Sequence, residues 1–317
     1  MYYIGIDVGG TNLKAGLVDE SYRIVATKKM PLEFKSMEQM GETLAQMALA
    51  LVSESGISRE EVACVGMGFP GPVDNKAGVV IKTVNIPIRF MPVAEIFHRY
   101  WDVPVYLGND ADCAALGEYY HYENKDIESL ILVTLGTGIG TGIILNGKIH
   151  SGINGCAGEG GHIVIVADGE PCTCGRRGCL EAYASVTALI NQTKAAMEAH
   201  PESMMNEYAA RNGKVNGRTS FECARAGDPA AIAVRDRYIE FVAEGICSIV
   251  NILQPEILSI GGGISREGET LLAPIKAYFA HNDYNKHMKK TDIRIAKLFG
   301  DAGIVGAAKT AEAGMAE

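Results

Sequence analysis

The sequence predicts an α/β protein of two similar domains. Three observations carry this. A strand, glycine turn, strand, turn, strand pattern opens the chain and restarts near residue 130. At 317 residues the chain exceeds what one hydrophobic core usually serves. Helical periodicities alternate with the apolar runs, as in α/β folds.

In order, Tyr2–Val8 reads as a buried strand, followed by Gly9-Gly10-Thr11, a strand at Leu13–Val18, a turn at Asp19-Glu20-Ser21 and a strand over Tyr22–Lys29. Ser36 and Gln39 form a capping box for a helix whose Met37, Met40, Leu44, Met47 and Leu51 share one face. Val62–Phe69 and Val103–Leu107 are strand-like, with a short helical stretch around Val93, Ile96 and Phe97 before the latter. The second half repeats the opening: strand Leu130–Leu135, glycine turn Gly136–Gly142, strand Ile143–Leu145, a tight turn at Asn146-Gly147, and a third strand from Lys148. A polar surface excursion is expected over His200–Asn216. A long helix is expected from Pro229 to about Gln254, capped by Asp228 and stopped by Pro255. Glu256–Ile260 is a strand leading into Gly261-Gly262-Gly263, and Ile304–Glu312 is Ala-rich and helical.

Composition bounds the function. A net charge of -9 argues against a general nucleic-acid binder, which needs a basic face to neutralise phosphates. No apolar run is long enough for a transmembrane helix, so no membrane partner is expected. The first residues lack a basic n-region and meet Asp7, unlike a signal peptide. Of eight cysteines, five are scattered and three crowd into Cys172–Cys179. That distribution suits a reducing, cytoplasmic compartment and a metal rather than a disulfide framework.

Five motifs carry chemistry. In Asp7-Val8-Gly9-Gly10-Thr11-Asn12-Leu13-Lys14 the glycines allow close approach of backbone N–H groups to a phosphate. Thr11 offers a hydroxyl, Lys14 a charge, and Asp7 a carboxylate for Mg²⁺ through water; the same residues also suit a plain hairpin with a buried acid. Leu135-Gly136-Thr137-Gly138-Ile139-Gly140-Thr141-Gly142 has a G-x-G-x-G spacing, but it leads into a strand. A dinucleotide fingerprint needs a helix there, so a phosphate-cradling hairpin is favoured. Gly261-Gly262-Gly263 permits flat contact with a purine, or is a simple turn. Asn109-Asp110-Ala111-Asp112 opens a helix, where Asp110 is either an N-cap or a general base and Asn109 a substrate partner; the dipole favours an anion at that end. His162 followed by Cys172, Cys174 and Cys179 gives H-x9-C-x-C-x4-C, a set that completes a tetrahedral Cys₃His zinc site or forms a redox cluster. Glu159 and Glu181 flank it.

Together and in this order, the motifs resemble the ROK family (repressors, open reading frames and kinases), from Tyr3 to about Ala308. The most specific part is Gly158-Glu159-Gly160-Gly161-His162 followed by Cys172-Thr173-Cys174-Gly175-Arg176-Arg177-Gly178-Cys179-Leu180-Glu181. The resemblance implies an actin-like, ribonuclease H-like ATPase fold with an interdomain cleft. Its small N-terminal domain, residues 1–118, would be completed by helix 303–317, and its larger domain would span 119–302 and carry the zinc knuckle. It implies ATP-dependent phosphorylation of a hexose, with ATP, Mg²⁺ and structural Zn²⁺ as cofactors. Glucose is the leading acceptor; N-acetylmannosamine, mannose, fructose and allose stay open.

By the same resemblance Asp110 is the catalytic base. Asp7, Gly9, Gly10, Thr11, Lys14, Thr137 and Gly138 meet phosphates, and Gly262 and Gly263 meet adenosine. Gly71, Asn85, Asn109, Asp110, Glu159, His162 and Glu181 line the sugar pocket, and His162, Cys172, Cys174 and Cys179 hold zinc. His162 would serve metal and sugar through different ring atoms. A homodimer or homotetramer is expected. Two positions depart from the family pattern: Asp112 adds charge near the base, and Gly160, where a larger apolar residue is common, is expected to loosen the sugar loop. The family's sugar-responsive regulators carry a DNA-binding domain ahead of the first phosphate motif. With Asp7 so early, the kinase branch is expected, with no nucleic-acid partner.

Overall fold

The computed structural model describes residues 1–83, 86–122 and 127–315. Two five-stranded sheets organise it. The first is built from β1 (Tyr2–Val8), β2 (Asn12–Asp19), β3 (Ile24–Pro31) and β4 (Val62–Phe69). A separate three-stranded sheet of β5 (Val73–Asp74), β6 (Val79–Lys82) and β7 (Arg89–Met91) follows, and β8 (Val105–Asn109) completes the first sheet in the order β3-β2-β1-β4-β8. β1 runs antiparallel to β2 and parallel to β4. The second large sheet contains β9 (Leu130–Leu135), β10 (Ile139–Leu145), β11 (Lys148–Ile149), β12 (Ile257–Gly262) and β13 (Asp292–Ile295) in the order β11-β10-β9-β12-β13. Numbered within each sheet, both orders are third, second, first, fourth, fifth. The repeat read from the glycine turns is therefore a repeat of topology.

By packing, the chain divides into two compact units: one of Met1–Leu132, Gly142–Gly158 and the segment from Lys297, the other of Val133–Thr141 and Glu159–Ala296. In the first, β1 and β4 are buried along almost their whole length, which explains their unbroken apolar runs. β3 alternates half-buried and exposed residues, as an edge strand does. It begins at Ile24, because Tyr22 takes a positive φ of 57° in the preceding turn. Helix α1 (Met37–Glu54) buries Met40, Leu44, Met47 and Leu51 against Ile4, Leu13 and Phe97 of the core, while Met37 stays exposed. Ser36 caps it by accepting from Gln39 N, but Gln39 Oε1 accepts from Lys35 N instead of Ser36 N, so the capping box is offset by one residue. Helices α2 (Val93–His98) and α3 (Asp110–His121) complete this part.

In the second unit lie α4 (Glu181–Ala184), α5 (Val186–Ala199), α6 (Met204–Asn212), α7 (Thr219–Arg225), α8 (Pro229–Leu253) and α9 (Glu269–Asn282). The long helix α8 has the expected Asp228 cap, and Gln254 ends it in the left-handed region at φ 44°. The stretch expected as an irregular excursion instead holds α6, with Met205 buried. Its order has a distant cause: Asp228, while capping α8 at Ala231 N, also accepts from Ser203 Oγ and Met204 N at the start of α6. One carboxylate thus satisfies orphan donors of two helices.

The last helix, α10 (Ala302–Met315), belongs to the first unit. It lies so close to its neighbours that side chains are excluded. A Cβ at Gly5 would stand 1.9 Å from Ile304 O, one at Gly66 1.8 Å from Ala307 O, and one at Gly117 2.2 Å from Ala302 O. Glu118 of α3, fully buried, accepts from Tyr122 Oη at 2.9 Å, Lys297 N at 2.7 Å and Leu298 N at 3.1 Å, and so fixes the segment that enters α10.

Candidate functional site

In the first unit the turn between β1 and β2 is closed by Gly9 N donating to Asn12 O at 3.0 Å and by Thr11 O accepting from Leu32 N at 3.0 Å. Among the described residues the N–H groups of Gly10 and Thr11 have no acceptor, so both stay available to an anion. Asp7 and Lys14 are register partners across β1 and β2, and Lys14 Nζ lies 3.8 Å from Asp7 Oδ2 and 3.1 Å from Gly300 O. Burial raises the pKa of Asp7 above the ordinary carboxylate value, and Lys14 opposes the rise. The Cβ that Gly303 lacks would stand 2.9 Å from Asp7 Cγ, so a larger residue there would crowd the carboxylate.

At the start of α3 the cap is one residue earlier than Asp110. Asn109 is the N-cap, its Oδ1 accepting from Ala111 N at 2.8 Å and Asp112 N at 3.2 Å. Asp110 is the first helical residue and accepts from Ala111 N at 2.9 Å. Asn109 Nδ2 donates to Gly71 O at 3.4 Å. Gly71 has φ 135°, and a Cβ there would stand 2.3 Å from Lys82 O, so glycine is required in this loop. Asn75, not anticipated from the sequence, holds the adjoining strand by accepting from Leu107 N at 2.7 Å. Asn85 lies outside the described residues.

In the second unit the glycine turn ends at Gly138, and β10 begins at Ile139 rather than Ile143. Glycines within β10 had suggested a longer turn; Gly142 is there because a Cβ would meet Ala111 O and Ala115 Cβ, each at 2.4 Å. The turn is held from outside. Ile139 N donates to Glu181 Oε2 at 2.9 Å, Val186 N to Gly136 O at 2.8 Å, and Thr187 Oγ1 to Thr137 O at 2.7 Å. The N–H groups of Thr137 and Gly138 have no acceptor among the described residues. Gly262 takes φ 83°, and its missing Cβ would fall 2.3 Å from Leu135 O. Gly263 opens onto a pocket of about 780 Å³ lined also by Val186, Asn216, Arg218, Ile264 and Arg266.

His162, Cys172, Cys174 and Cys179 come together, each offering one ligand atom within 4.8 Å of the others. A tetrahedral zinc with Zn–S of about 2.3 Å has S···S edges of about 3.8 Å. Cys174 Sγ and Cys179 Sγ are 3.7 Å apart, and Cys172 Sγ lies 3.6 Å from His162 Nδ1. Donor set and spacing therefore fit zinc. His162 turns Nδ1 toward the thiols and Nε2 toward Glu159, 3.9 Å away. Glu159 sits just before the 3-10 turn Gly160–His162. That turn is not loosened by Gly160: a Cβ there would lie 2.6 Å from Thr141 Oγ1, so Thr141 already fills the space. Thr173, also missed in the sequence, donates to Glu181 Oε1 at 3.1 Å.

The first unit thus carries Asp7, Gly9, Gly10, Thr11, Lys14, Gly71, Asn109 and Asp110, and the second carries Thr137, Gly138, Glu159, His162, Glu181, Gly262, Gly263 and the cysteines. Among the described residues no helix is long and apolar enough to cross a membrane.

Comparison with known proteins gives the same pattern. The chain is 34% identical over 311 residues to a glucokinase of Halalkalibacterium halodurans, covering 96% of this chain and 93% of the relative. It is 33% identical over 306 residues to a glucokinase of Thermotoga maritima, covering 96% and 95%. Among solved structures it is similar to a ROK family glucokinase from Streptomyces griseus in complex with glucose and AMPPNP, with TM-score 0.86, 34% identity and coverage of 99% and 100%. The strand order and these likenesses give the two-domain actin-like ATPase fold. The profile of the ROK family matches residues 3–313, and the chain belongs to that family.

Proposed function

We propose that the protein is an ATP-dependent hexose kinase that converts glucose to glucose 6-phosphate. The observation that carries this reading is its likeness, over nearly the whole chain, to the Streptomyces griseus enzyme holding glucose and AMPPNP. The two turns with unpaired N–H groups and the carboxylate of Asp110 give that likeness a chemical basis.

Asp110 accepts the proton of the sugar 6-hydroxyl as its oxygen attacks the γ-phosphorus. The bond from that phosphorus to the β,γ-bridging oxygen breaks, and ADP leaves. Phosphoryl transfer of this kind depends mostly on positioning and charge neutralisation. The N–H groups of Gly10, Thr11, Thr137 and Gly138 meet phosphate oxygens, with Thr11 and Lys14 adding a hydroxyl and a cation. Bound Mg²⁺ would spread the phosphate charge, and Asp7 would hold it through water. The pocket lined by Gly263, Val186 and Ile264 would take adenosine, with Gly262 beside Gly263 in the same glycine run. Asn109, Glu159, His162 Nε2 and Glu181 hold sugar hydroxyls, with Gly71 in the lining loop, and Asn85, outside the described residues, is a further sugar contact by the family resemblance. Zinc on His162 Nδ1 and the three cysteines would have no open position, so its part is to hold the knuckle. A homodimer or homotetramer is the assembly to check by light scattering.

The test is ADP release by the zinc-replete protein across a panel of hexoses and N-acetylhexosamines. Glucose should be the best acceptor, and release with none of them would refute the reading. Asp110→Asn should lower kcat by at least ~10²–10⁴, the usual worth of a general base. Near-normal turnover would reduce Asp110 to a helix residue.

A further inference from the structure

We propose that Glu181 is a positioning residue for the phosphate-binding turn Gly136–Gly138, so that metal at the cysteine knuckle governs affinity for nucleotide polyphosphates. The proposal rests on the kinase reading above and adds a role to a residue placed there only against sugar.

Glu181 faces two ways. Its Oε2 accepts from Ile139 N, the first residue after the turn, at 2.9 Å. Its Oε1 accepts from Thr173 Oγ1 at 3.1 Å and lies 3.9 Å from Cys172 Sγ. Thr173 is the single residue between the ligands Cys172 and Cys174, and Glu181 follows the ligand Cys179 by two residues. The carboxylate is therefore tied to the knuckle by the chain on one side and by a hydroxyl on the other.

The fit against the turn is close. A Cβ at Gly138 would stand 2.3 Å from Glu181 Oε2, so the carboxylate occupies the space a side chain would take. The next residues continue the grip, Val186 N on Gly136 O and Thr187 Oγ1 on Thr137 O. Three hydrogen bonds from the segment 181–187 thus fix the turn. They engage its carbonyls and the Ile139 N–H, and leave the Thr137 and Gly138 N–H groups for an anion. When the knuckle loses its metal, Thr173 and Cys179 lose their anchor, and Glu181 loses the hold that aims it.

Electrostatics alone would give the opposite sign, since a carboxylate near a triphosphate repels it. Glu181→Gln separates the two ideas: its amide oxygen can still accept from Ile139 N and its amide nitrogen can donate to Thr173 Oγ1. The test is calorimetric titration, without sugar, of AMP and of Mg²⁺–AMPPNP into zinc-replete protein and into protein stripped of metal and freed of chelator.

Glu181→Ala should weaken AMPPNP by about 10-fold, the scale of one hydrogen bond to a charged group. AMP, which has no β- or γ-phosphate, should bind as before, and Glu181→Gln should stay within about 3-fold of the parent on the same scale. Metal stripping should cost the parent the same selective loss and cost Glu181→Ala little more. Thr187→Val, outside the sugar and metal sets, should show a smaller loss with the same preference for AMPPNP. Equal losses for AMP and AMPPNP, or parental AMPPNP affinity in Glu181→Ala, would overturn the proposal. A parent protein that binds neither nucleotide would instead overturn the kinase reading beneath it.

Discussion

Glu118→Ala tests how the last helix is fixed to the helix that begins at Asp110. The carboxylate has 0% exposure and three donors: Lys297 N, Leu298 N and the hydroxyl of Tyr122. Alanine leaves the backbone N–H groups of Lys297 and Leu298 without this acceptor. A buried group stripped of its partner costs about 1–3 kcal/mol, so two N–H groups alone amount to about 2–6 kcal/mol. The side chains of Lys297 and Leu298 are not buried, so water reaches part of this backbone and about 3 kcal/mol is the expected loss. Glu118→Gln should recover part of the loss, because its amide oxygen can still accept from Tyr122 Oη and Lys297 N, while its amide nitrogen points a donor at Leu298 N. Tyr122→Phe, which removes only one hydroxyl, should cost about 1 kcal/mol. The assay is urea unfolding followed by circular dichroism, with the slope checked for constancy. A loss below about 1 kcal/mol in Glu118→Ala would show that these bonds are exchanged for water at no cost, and would refute the reasoning.

Asn109→Ala removes the cap of α3 and should destabilise by about 1 kcal/mol in the same assay, while Asn109→Asp should keep the cap. Asp7 has a folded-state pKa raised by burial, so it adds stability below the ordinary carboxylate pKa and loses it as pH rises through the raised value. Asp7→Asn should therefore raise the melting temperature at neutral pH while lowering turnover; a melting temperature unchanged between pH 4 and 8, relative to the parent, would contradict this. Native protein should contain one zinc per chain by elemental analysis, and Cys174→Ser should release it and lower the melting temperature without unfolding the chain at 25 °C. Absence of zinc in native protein would leave the cysteine cluster without its proposed metal.

Much of this was legible in the sequence because the signals are local. A buried strand ending in glycines, a Ser or Asp before an apolar period, and a tight cysteine spacing each fix their own structure within a few residues. The doubled sheet order follows from two such local patterns. What escaped was set at a distance. Helix α6 is ordered by Asp228, which lies 24 residues beyond Met204. Glu181 reaches Ile139 across 42 residues. Glycines added a second ambiguity: Gly142 read as part of a turn and Gly160 as slack, yet both are set by a neighbour occupying the side-chain space. A missing side chain looks the same in a sequence whether it serves bending or contact.

Helix α10 has a consequence for how the chain is made. Its backbone rests on Gly5, Gly66 and Gly117, residues that leave the ribosome long before Ala302 does. Until then the first sheet lacks a cover over Tyr3 and Cys64 on its glycine-lined side, and all of Glu159–Ala296 must be synthesised in between. The second unit can therefore fold while the first is still waiting, a reversal of the usual order in which N-terminal domains finish first. Supplying α10 as a separate peptide to a chain ending at Ala296 would be a direct way to watch that final closure.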